Sequence, residues 1–413
     1  MPVLDSAQVK AVVERQYEAF VSDLELLTNI DSGTGDAAGS ARIAAILEER
    51  VTGLGGTAER RANDRGTHLI ARFKGEGRLR VLLSPHTDTV FEAGEAARRP
   101  FRVDERQLAY GPGVGDCKAS VVQMVYLVKA LRELGVRDFG ELVVYFDAEE
   151  EGGSPDEERI LRELAAQVDL ALIVDTARPG WGIVTQRKGS ATYDLRVWGV
   201  SGHAGNAPQA GASAVVELAH LITYLHGLAS PLPGHPADFT PEALAARGQH
   251  DHGQFIPEIS INVGVIGTPN RRRNRIPDEA YAQVEVRAFR LADLERLDRD
   301  LRARAGRPVV PGTRVTVEGG LKVGPMEKTP AAAQVIERYR NIVRREYGAE
   351  VVEWVAGGVT VGNRTAEFVP TVDALGVEAD PVVEHTDREY VDLASFVPRT
   401  VALVHLIAEL AQG

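Results

Sequence analysis

Short apolar runs alternate with segments of helical periodicity along the first half of the chain. The runs are rich in Val, Leu and Ile, which is typical of buried strands, and they span 67–74, 79–86, 142–146 and 170–174. Apolar positions three and four residues apart predict helices over 6–28, 40–51, 119–134 and 156–167. Alternating strands and helices predict an α/β fold with a mostly parallel sheet covered by helices.

The pattern changes near residue 189. Half-exposed, alternating strands are predicted at 191–198, 259–265, 281–288 and 314–318, with helices at 211–228 and 292–305. The order β-α-β-β-α-β is that of a ferredoxin-like domain. The first pattern then resumes, with a helix over 330–347, a strand over 369–375 and a final helix that reaches Leu410.

These patterns predict one domain formed by residues 1–188 and 321–413, with a second domain, 189–320, inserted into it. The inserted domain contains a long loop, 229–257, rich in Pro, Gly and His. A loop of that length is usually functional or mobile.

Composition narrows the classes of protein. The chain has 413 residues, a formal net charge of −12 and a hydrophobic fraction of 44%, typical of a folded protein that does not bind nucleic acid. Its single cysteine, Cys117, excludes an internal disulfide. The first residues lack the basic and apolar regions of a secretory signal, and no run of about 18 apolar residues predicts a membrane span. We therefore expect a cytoplasmic protein.

Polar side chains that suit chemistry follow several of the predicted strands. His86 and Asp88 stand two apart after one strand, so they point the same way. Because parallel strands end at one edge of a sheet, the residues that follow them are expected to converge. The candidates for this edge are His86, Asp116, Glu150, Glu151, Asp175 and His385.

Two imidazoles and several carboxylates suit one or two zinc ions, and other divalent metals are alternatives. A shared carboxylate would bridge two ions, and a spare glutamate would serve as general base. A metal-free pair of carboxylates, as in a glycosidase, is a rival that the flanking histidines disfavour. Gly111–Lys118 is glycine-rich but lacks nucleotide-binding spacing, and Cys117 has no base nearby in the sequence.

Five motifs in register resemble those of the di-zinc aminoacylase/carboxypeptidase family, and within it the carboxypeptidase G (glutamate carboxypeptidase) branch. The motifs are His86-Thr87-Asp88, Gly111-Pro112-Gly113-Val114-Gly115-Asp116, Glu149-Glu150-Glu151-Gly152-Gly153-Ser154, Ser201-Gly202-His203-Ala204-Gly205 and His385-Thr386-Asp387. The resemblance covers nearly the whole chain.

The resemblance implies two Zn²⁺ ions per subunit, with Co²⁺ or Mn²⁺ as alternatives. It implies that Asp116 bridges the two ions. One site would be completed by His86 and Asp175, and the other by Glu151 and His385. It also implies that Asp88 orients His86, that Glu150 is the general base and later the general acid, and that the Asp116–Cys117 peptide is cis.

The resemblance further implies that the inserted domain is a lid and a homodimer interface. His203 resembles a histidine that stabilises the oxyanion in the partner subunit's active site, although from the residues alone it reads as a surface histidine. Asn274 and Arg287 match positions that bind a substrate carboxylate, which a guanidinium fork pairs with bidentately. The loop that contains Gly357 and Gly358 helps to shape the substrate pocket.

The chain also departs from the family pattern. Val361 stands where the family usually has an aspartate, and Cys117 and Gly152 replace residues that are often polar. From the resemblance as a whole, we expect hydrolysis of an amide bond next to a free carboxylate, in a small peptide or N-acyl amino acid. The alternatives are an N-acyl amino acid deacylase of the same family and a non-catalytic metal-binding homologue.

Overall fold

The structure is a computed structural model that describes residues 4–229, 250–251 and 254–412. Most of the predicted loop 229–257 therefore lies outside the described residues. The chain divides into two compact units. The first comprises Met1–Thr185, Lys328–Trp354 and Thr360–Gly413, and the second comprises Gln186–Glu327 and Val355–Val359.

Helices and strands alternate through much of the described chain. The helices are α1 Ser6–Glu14, α2 Tyr17–Thr28, α3 Ala37–Gly53, α4 Glu95–Arg98, α5 Ala119–Glu133, α6 Pro155–Ala165, α7 Ala214–Leu228, α8 Leu291–Ala305, α9 Pro330–Tyr347, α10 Val361–Thr365 and α11 Phe396–Ala411. The strands are β1 Thr57–Ala62, β2 Thr67–Lys74, β3 Arg80–Ser84, β4 Arg102–Val103, β5 Leu108–Tyr110, β6 Glu141–Phe146, β7 Leu170–Ile173, β8 Gly182–Arg187, β9 Gly189–Trp198, β10 Gly202–His203, β11 His250–Asp251, β12 Gln254–Phe255, β13 Ile259–Gly267, β14 Arg275–Ile276, β15 Glu279–Ala288, β16 Arg314–Val323, β17 Val352–Ala356, β18 Thr371–Val372 and β19 Tyr390–Asp392.

A six-stranded sheet in the order β1-β2-β6-β3-β7-β18 forms the centre of the first unit. The strands β6, β3, β7 and β18 are parallel, whereas β1 and β2 are antiparallel additions at one edge. In β3, Val81 and Leu83 join the main hydrophobic core, and Leu82 joins a smaller cluster against α6. This period of two buries both faces, and it confirms the predicted mostly parallel sheet covered by helices.

Several predicted elements of the first unit have different bounds in the structure. The helix predicted over 6–28 is two helices, α1 and α2, although no Pro or Gly marks the break. The strand predicted over 79–86 ends at Ser84, because Pro85 has no N–H for the ladder. The strand predicted over 369–375 is only Thr371–Val372.

The final helix is apolar along most of its length. Residues Leu393–Ala411 have a mean hydropathy of 1.5 and are long enough to cross a membrane, but 72% of this segment is buried. It packs against α1, α5 and α9 inside the first unit. This burial is that of a core helix in a globular domain.

The second unit is an antiparallel sheet in the order β13-β15-β9-β16, with α7 and α8 packed on it. Along β9, Tyr193, Leu195 and Val197 are buried, whereas Asp194 and Arg196 are exposed. The chain order β9-α7-β13-β15-α8-β16 confirms the predicted ferredoxin-like arrangement.

Candidate metal centre

The site lies at the carboxyl ends of β3, β6 and β7, which are neighbours in the sheet. His86 follows β3, Glu150 and Glu151 follow β6, and Asp175 follows β7. The segment after β3 stays beside the one after β6, because Thr87 N donates to Asp147 O at 2.6 Å. Parallel pairing of three strands thus brings four of the predicted side chains to one edge.

Asp116 lies at the centre of this cluster. Its Oδ1 is 2.8 Å from Nε2 of His86, and its Oδ2 is 3.0 Å from Nε2 of His385. It sits in a short irregular turn, Val114–Lys118, that follows Gly113 at φ 70° and contains the expected cis peptide between Asp116 and Cys117. One carboxylate therefore contacts two histidines that are far apart in the sequence.

Two groups of ligand atoms share Asp116. The first contains His86, Asp116, Asp175 and Cys117, and the second contains Asp116, Glu151 and His385. Within each group, the atoms lie within 4.8 Å of one another. The Sγ atom of Cys117 is also engaged with the backbone of His86, since it lies 3.1 Å from the N–H and 3.2 Å from the carbonyl oxygen. Glu150 belongs to neither group.

The Asp88 carboxylate contacts other groups besides His86. Its Oδ1 is 3.4 Å from Nδ1 of His86, in agreement with an orienting role. The same carboxylate accepts the N–H groups of Glu150 and Glu151, both at 3.1 Å, and the Thr34 hydroxyl at 2.6 Å. Asp88 therefore fixes the backbone of the two glutamates as well as the histidine.

The acidic segment after β6 divides between two environments. Asp147 and Glu149 are fully buried and both face His68, at 3.2 Å and 3.0 Å. Glu151 instead lies 3.2 Å from Nε2 of His385, and Glu150 interacts electrostatically with His86 and Asp116. The sequence shows four carboxylates in five positions, but only tertiary contacts separate the supporting pair from the pair at the metal centre.

The electrostatics of the centre show negative charge that its histidines compensate only in part. Burial raises the pKa of Glu150 well above its usual range, and burial also raises the pKa of Glu151. Burial opposes ionisation of Asp116 too, but the two imidazoles outweigh it and hold the pKa of that carboxyl low. Hydrogen bonds to Asp116 and Glu151 raise the pKa of His385 to about 11.

The donor set fits divalent metal ions. Imidazole nitrogens and carboxylate oxygens are ligands that zinc accepts, and a cation would neutralise carboxylates that otherwise favour protonation. His86 already has its second ring nitrogen oriented by Asp88, as metal-binding histidines usually do. His385 adopts φ 62°, an unfavourable conformation for a residue with a side chain, which is typical of functional sites.

Sequence reasoning missed Glu389 in this site. Its carboxylate accepts the N–H groups of Gly113, Gly115 and Asp116 at 3.2, 2.9 and 3.0 Å. The side chain is 1% exposed, and burial raises its pKa to about 7. The position four residues after His385 was the only available signal, and burial could not be read from it.

The other predicted residues lie in the second unit. His203 and Asn274 are exposed, and Nδ1 of His203 accepts the N–H groups of Gly205 and Asn206. Arg287 is half-buried and donates through Nη1 to the carbonyl oxygen of Gly357 at 2.8 Å.

The departures from the family pattern also have structural settings. Val361 is buried in the apolar cluster beside α6. Its side chain is therefore part of a core. At Gly152, a side chain would meet Nη2 of Arg65 at 2.7 Å and the Thr34 methyl at 2.9 Å, so this loop fits closely around a glycine.

A mainly parallel α/β sheet with two histidines and several carboxylates around one aspartate defines a metal-dependent hydrolase centre. The sequence profile of peptidase family M20/M25/M40 matches residues 82–409. The chain belongs to this family, so the protein is a hydrolase that acts on peptide or amide bonds and depends on metal. This confirms the resemblance inferred from the five motifs.

Individual relatives agree with this assignment. The chain is 29% identical over 426 residues to carboxypeptidase G2 of Pseudomonas sp. (strain RS-16), covering 99% of this chain and 93% of that protein. It is 24% identical over 343 residues to succinyl-diaminopimelate desuccinylase of Paracoccus denitrificans (strain Pd 1222), covering 80% and 84%. The solved structure of aminopeptidase PepT from Bacillus cereus ATCC 10987 has a TM-score of 0.74 at 20% identity, covering 96% and 99%, and shares the fold.

Proposed function

We propose that the protein is a carboxypeptidase that cleaves an amide bond next to a free carboxylate in a small peptide or N-acyl amino acid. The observation that carries the proposal is Asp116, which contacts both His86 and His385 while Glu150 stays outside both ligand groups. This arrangement leaves one partly buried carboxyl group beside the ligands for proton transfer. The similarity to carboxypeptidase G2 supports the choice of substrate class.

We assign two Zn²⁺ ions to the centre, with Co²⁺ or Mn²⁺ as alternatives. His86, Asp116 and Asp175 would hold one ion, and Asp116, Glu151 and His385 would hold the other. When bound, such ions lower the pKa of water and polarise a substrate carbonyl. The ligand residues supply the imidazole and carboxylate donors that zinc takes in proteins.

Glu150 is the general base in this proposal. It takes a proton from the attacking water, and it then delivers that proton to the leaving nitrogen. Burial raises the pKa of its carboxyl group, which makes the ionised form a stronger proton acceptor. Asp88 holds the backbone of Glu150, so the carboxyl group is oriented before the substrate arrives.

We assign recognition of the substrate carboxylate to Arg287, which contacts the loop of Gly357 and Gly358, and to Asn274. The Arg287 guanidinium pairs with Glu285 at 2.8 Å, so a substrate carboxylate would compete with that residue. A second cation, Lys188, is buried nearby, and burial together with Arg287 lowers its pKa to about 8.

Three further roles complete the proposal. His203 would stabilise the oxyanion in the active site of the partner subunit. The inserted domain, residues 189–320, would act as a lid and as the interface of a homodimer. The exposed position of His203 in the second unit is compatible with a contact made in an assembly.

Replacing Glu150 by glutamine tests the mechanism. We expect metal content by elemental analysis to stay within about 20% of the wild type, while kcat falls by roughly 10²–10⁴-fold because the general base is lost. The control is Glu158→Gln, a half-exposed residue of α6 whose carboxylate pairs with Arg162 and Arg364, and it should leave both unchanged. Wild-type turnover by Glu150→Gln would refute the role of this residue.

A second candidate is an N-acyl amino acid deacylase, favoured by the similarity to succinyl-diaminopimelate desuccinylase. Both reactions would use the same centre and differ in the acyl group. Initial rates with dipeptides, folate-like glutamates and N-succinyl or N-acetyl amino acids separate them. A clear preference for short N-acyl groups would support the deacylase over the carboxypeptidase.

A further inference from the structure

A buried histidine outside the ligand groups contacts the acidic segment after β6 from the side of β2, opposite to the side of β3. His68 lies on β2, is 1% exposed, and was not among the predicted site residues. Its Nε2 is 3.0 Å from Oε2 of Glu149. Its Nδ1 is 3.2 Å from both the Ala148 N–H and Oδ1 of Asp147, and 2.8 Å from the Tyr145 hydroxyl.

The direction of these hydrogen bonds places a proton on Nε2. The Ala148 N–H points at Nδ1, so Nδ1 accepts, and the neutral ring then carries its proton on Nε2. In the imidazolium form, Nε2 is protonated as well. In either form, Nε2 donates to Glu149. The neutral ring also accepts the Ala148 N–H through Nδ1, so it holds two consecutive residues, 148 and 149.

Glu149 is the anchor for the residues that follow it. Besides His68, its carboxylate receives Asn63 at 2.9 Å, the Ser154 hydroxyl at 2.8 Å and an ion pair with Arg65 at 3.1 Å. On the opposite side of the segment, Asp88 accepts the next two N–H groups of the chain. The loop is thus held from two sides, by His68 through Glu149 and by Asp88 directly.

We propose that His68 is a positioning residue for Glu150 and Glu151: it fixes the backbone just before them, so that one reaches the ligand group and the other stays available for proton transfer. The inference rests on the function proposed above. Hydrogen-bonding partners behind a metal site commonly change metal affinity or activity by roughly 10–100-fold when they are removed. His68 contacts Glu149, which is not itself a proposed ligand, so we expect an effect near the lower end of that range.

Two substitutions of the same residue test the proposal. His68→Leu removes the donor to Glu149, whereas His68→Gln keeps an N–H donor at a similar distance from the backbone. With Zn²⁺ as the probe, we expect His68→Leu to weaken the weaker of two binding events by about tenfold in calorimetric titration. We also expect about a tenfold lower kcat with KM unchanged within twofold. His68→Gln should restore both quantities to within about threefold of the wild type.

A matched control separates positioning from loss of core packing. His405 on α11 is also 1% exposed and lies 3.8 Å from Glu346. It is distant from the acidic segment in the sequence and shares no contact with that segment. His405→Leu is expected to lower the melting temperature without changing Zn²⁺ affinity or kcat. Equal losses of kcat in His68→Leu and His68→Gln, or unchanged Zn²⁺ affinity and kcat in His68→Leu, would overturn the proposal.

Two further provisions keep the test decisive. If His68→Leu does not fold, His68→Asn replaces it, because that shorter amide cannot reach Glu149 and should show the same losses. If the wild type hydrolyses no amide in the substrate panel, the proposed function fails. The Zn²⁺ titrations of the three proteins would still test the positioning role.

Discussion

Asp88 offers the sharpest test of how the metal centre is built, because one buried carboxylate serves several donors. Its side chain is 2% exposed and accepts the N–H groups of Glu150 and Glu151 and the hydroxyl of Thr34. Replacement by alanine leaves both peptide N–H groups without their acceptor. Replacement by asparagine keeps one oxygen and places an amide N–H₂ against the other donor.

The size of each effect follows from the cost of unpaired buried donors. An unsatisfied buried donor costs about 1–3 kcal/mol, so the two amides predict a loss of about 2–6 kcal/mol for Asp88→Ala. The Thr34 hydroxyl can rotate to another partner and is left out of this sum. Asp88→Asn loses one amide partner and should cost about 1–3 kcal/mol.

The assay is urea unfolding of protein kept free of metal with a chelator. Metal would otherwise stabilise the folded state by binding to it, and would mix affinity with intrinsic stability. The control is Asp387→Ala, because Asp387 closes the second His-Thr-Asp triplet of this chain and is exposed. It should change stability by less than about 0.5 kcal/mol. An Asp88→Ala variant no less stable than this control would refute the role of Asp88 as acceptor for the two N–H groups.

The remaining predictions concern buried positions near α6. Burial raises the pKa of Glu157 to about 8, so its contribution to stability is complete below about pH 4.5 and is lost as pH rises to about 8. Glu157→Gln, which preserves the capping pattern with Ser154, should remove up to about 1.4 kcal/mol per pH unit from the pH dependence of metal-free unfolding across that window; an unchanged slope would contradict this. Val361→Asp should destabilise the protein by more than about 3 kcal/mol in urea unfolding, since it buries a carboxylate among apolar side chains, whereas Val361→Ala should cost about 1–2 kcal/mol. Equal losses in the two variants would show that the site is hydrated.

Much of the fold followed from periodicity alone. The apolar runs of β3, β6 and β7 and the helices between them specify a covered, parallel arrangement, since only strands buried on both faces are continuously apolar. The break between α1 and α2 was missed because no residue type marks it. The position of Val361 in a core could not be predicted either, because that packing depends on residues about 200 positions earlier.

The two His-Thr-Asp triplets show where the sequence stops being informative. In the first, His86 and Asp88 are almost fully buried, and Asp88 holds the loop of the two glutamates. In the second, His385 is half-exposed and Asp387 is exposed. The two triplets contain the same residues, so their difference in burial arises from the neighbouring elements that cover each triplet.

By itself, the sequence determined the alternation of strands and helices, the inserted ferredoxin-like order and the chemical types that gather at the strand ends. Those features depend on spacings of two to four residues, which can be recognised in any short stretch of the sequence. Only the tertiary structure decided that Asp116 contacts a histidine 269 residues away, that Glu389 supports its loop, and that His68 donates to Glu149. These contacts join segments distant in the chain, and burial, which sets both their strength and the pKa of each carboxyl group, exists only after the segments have packed.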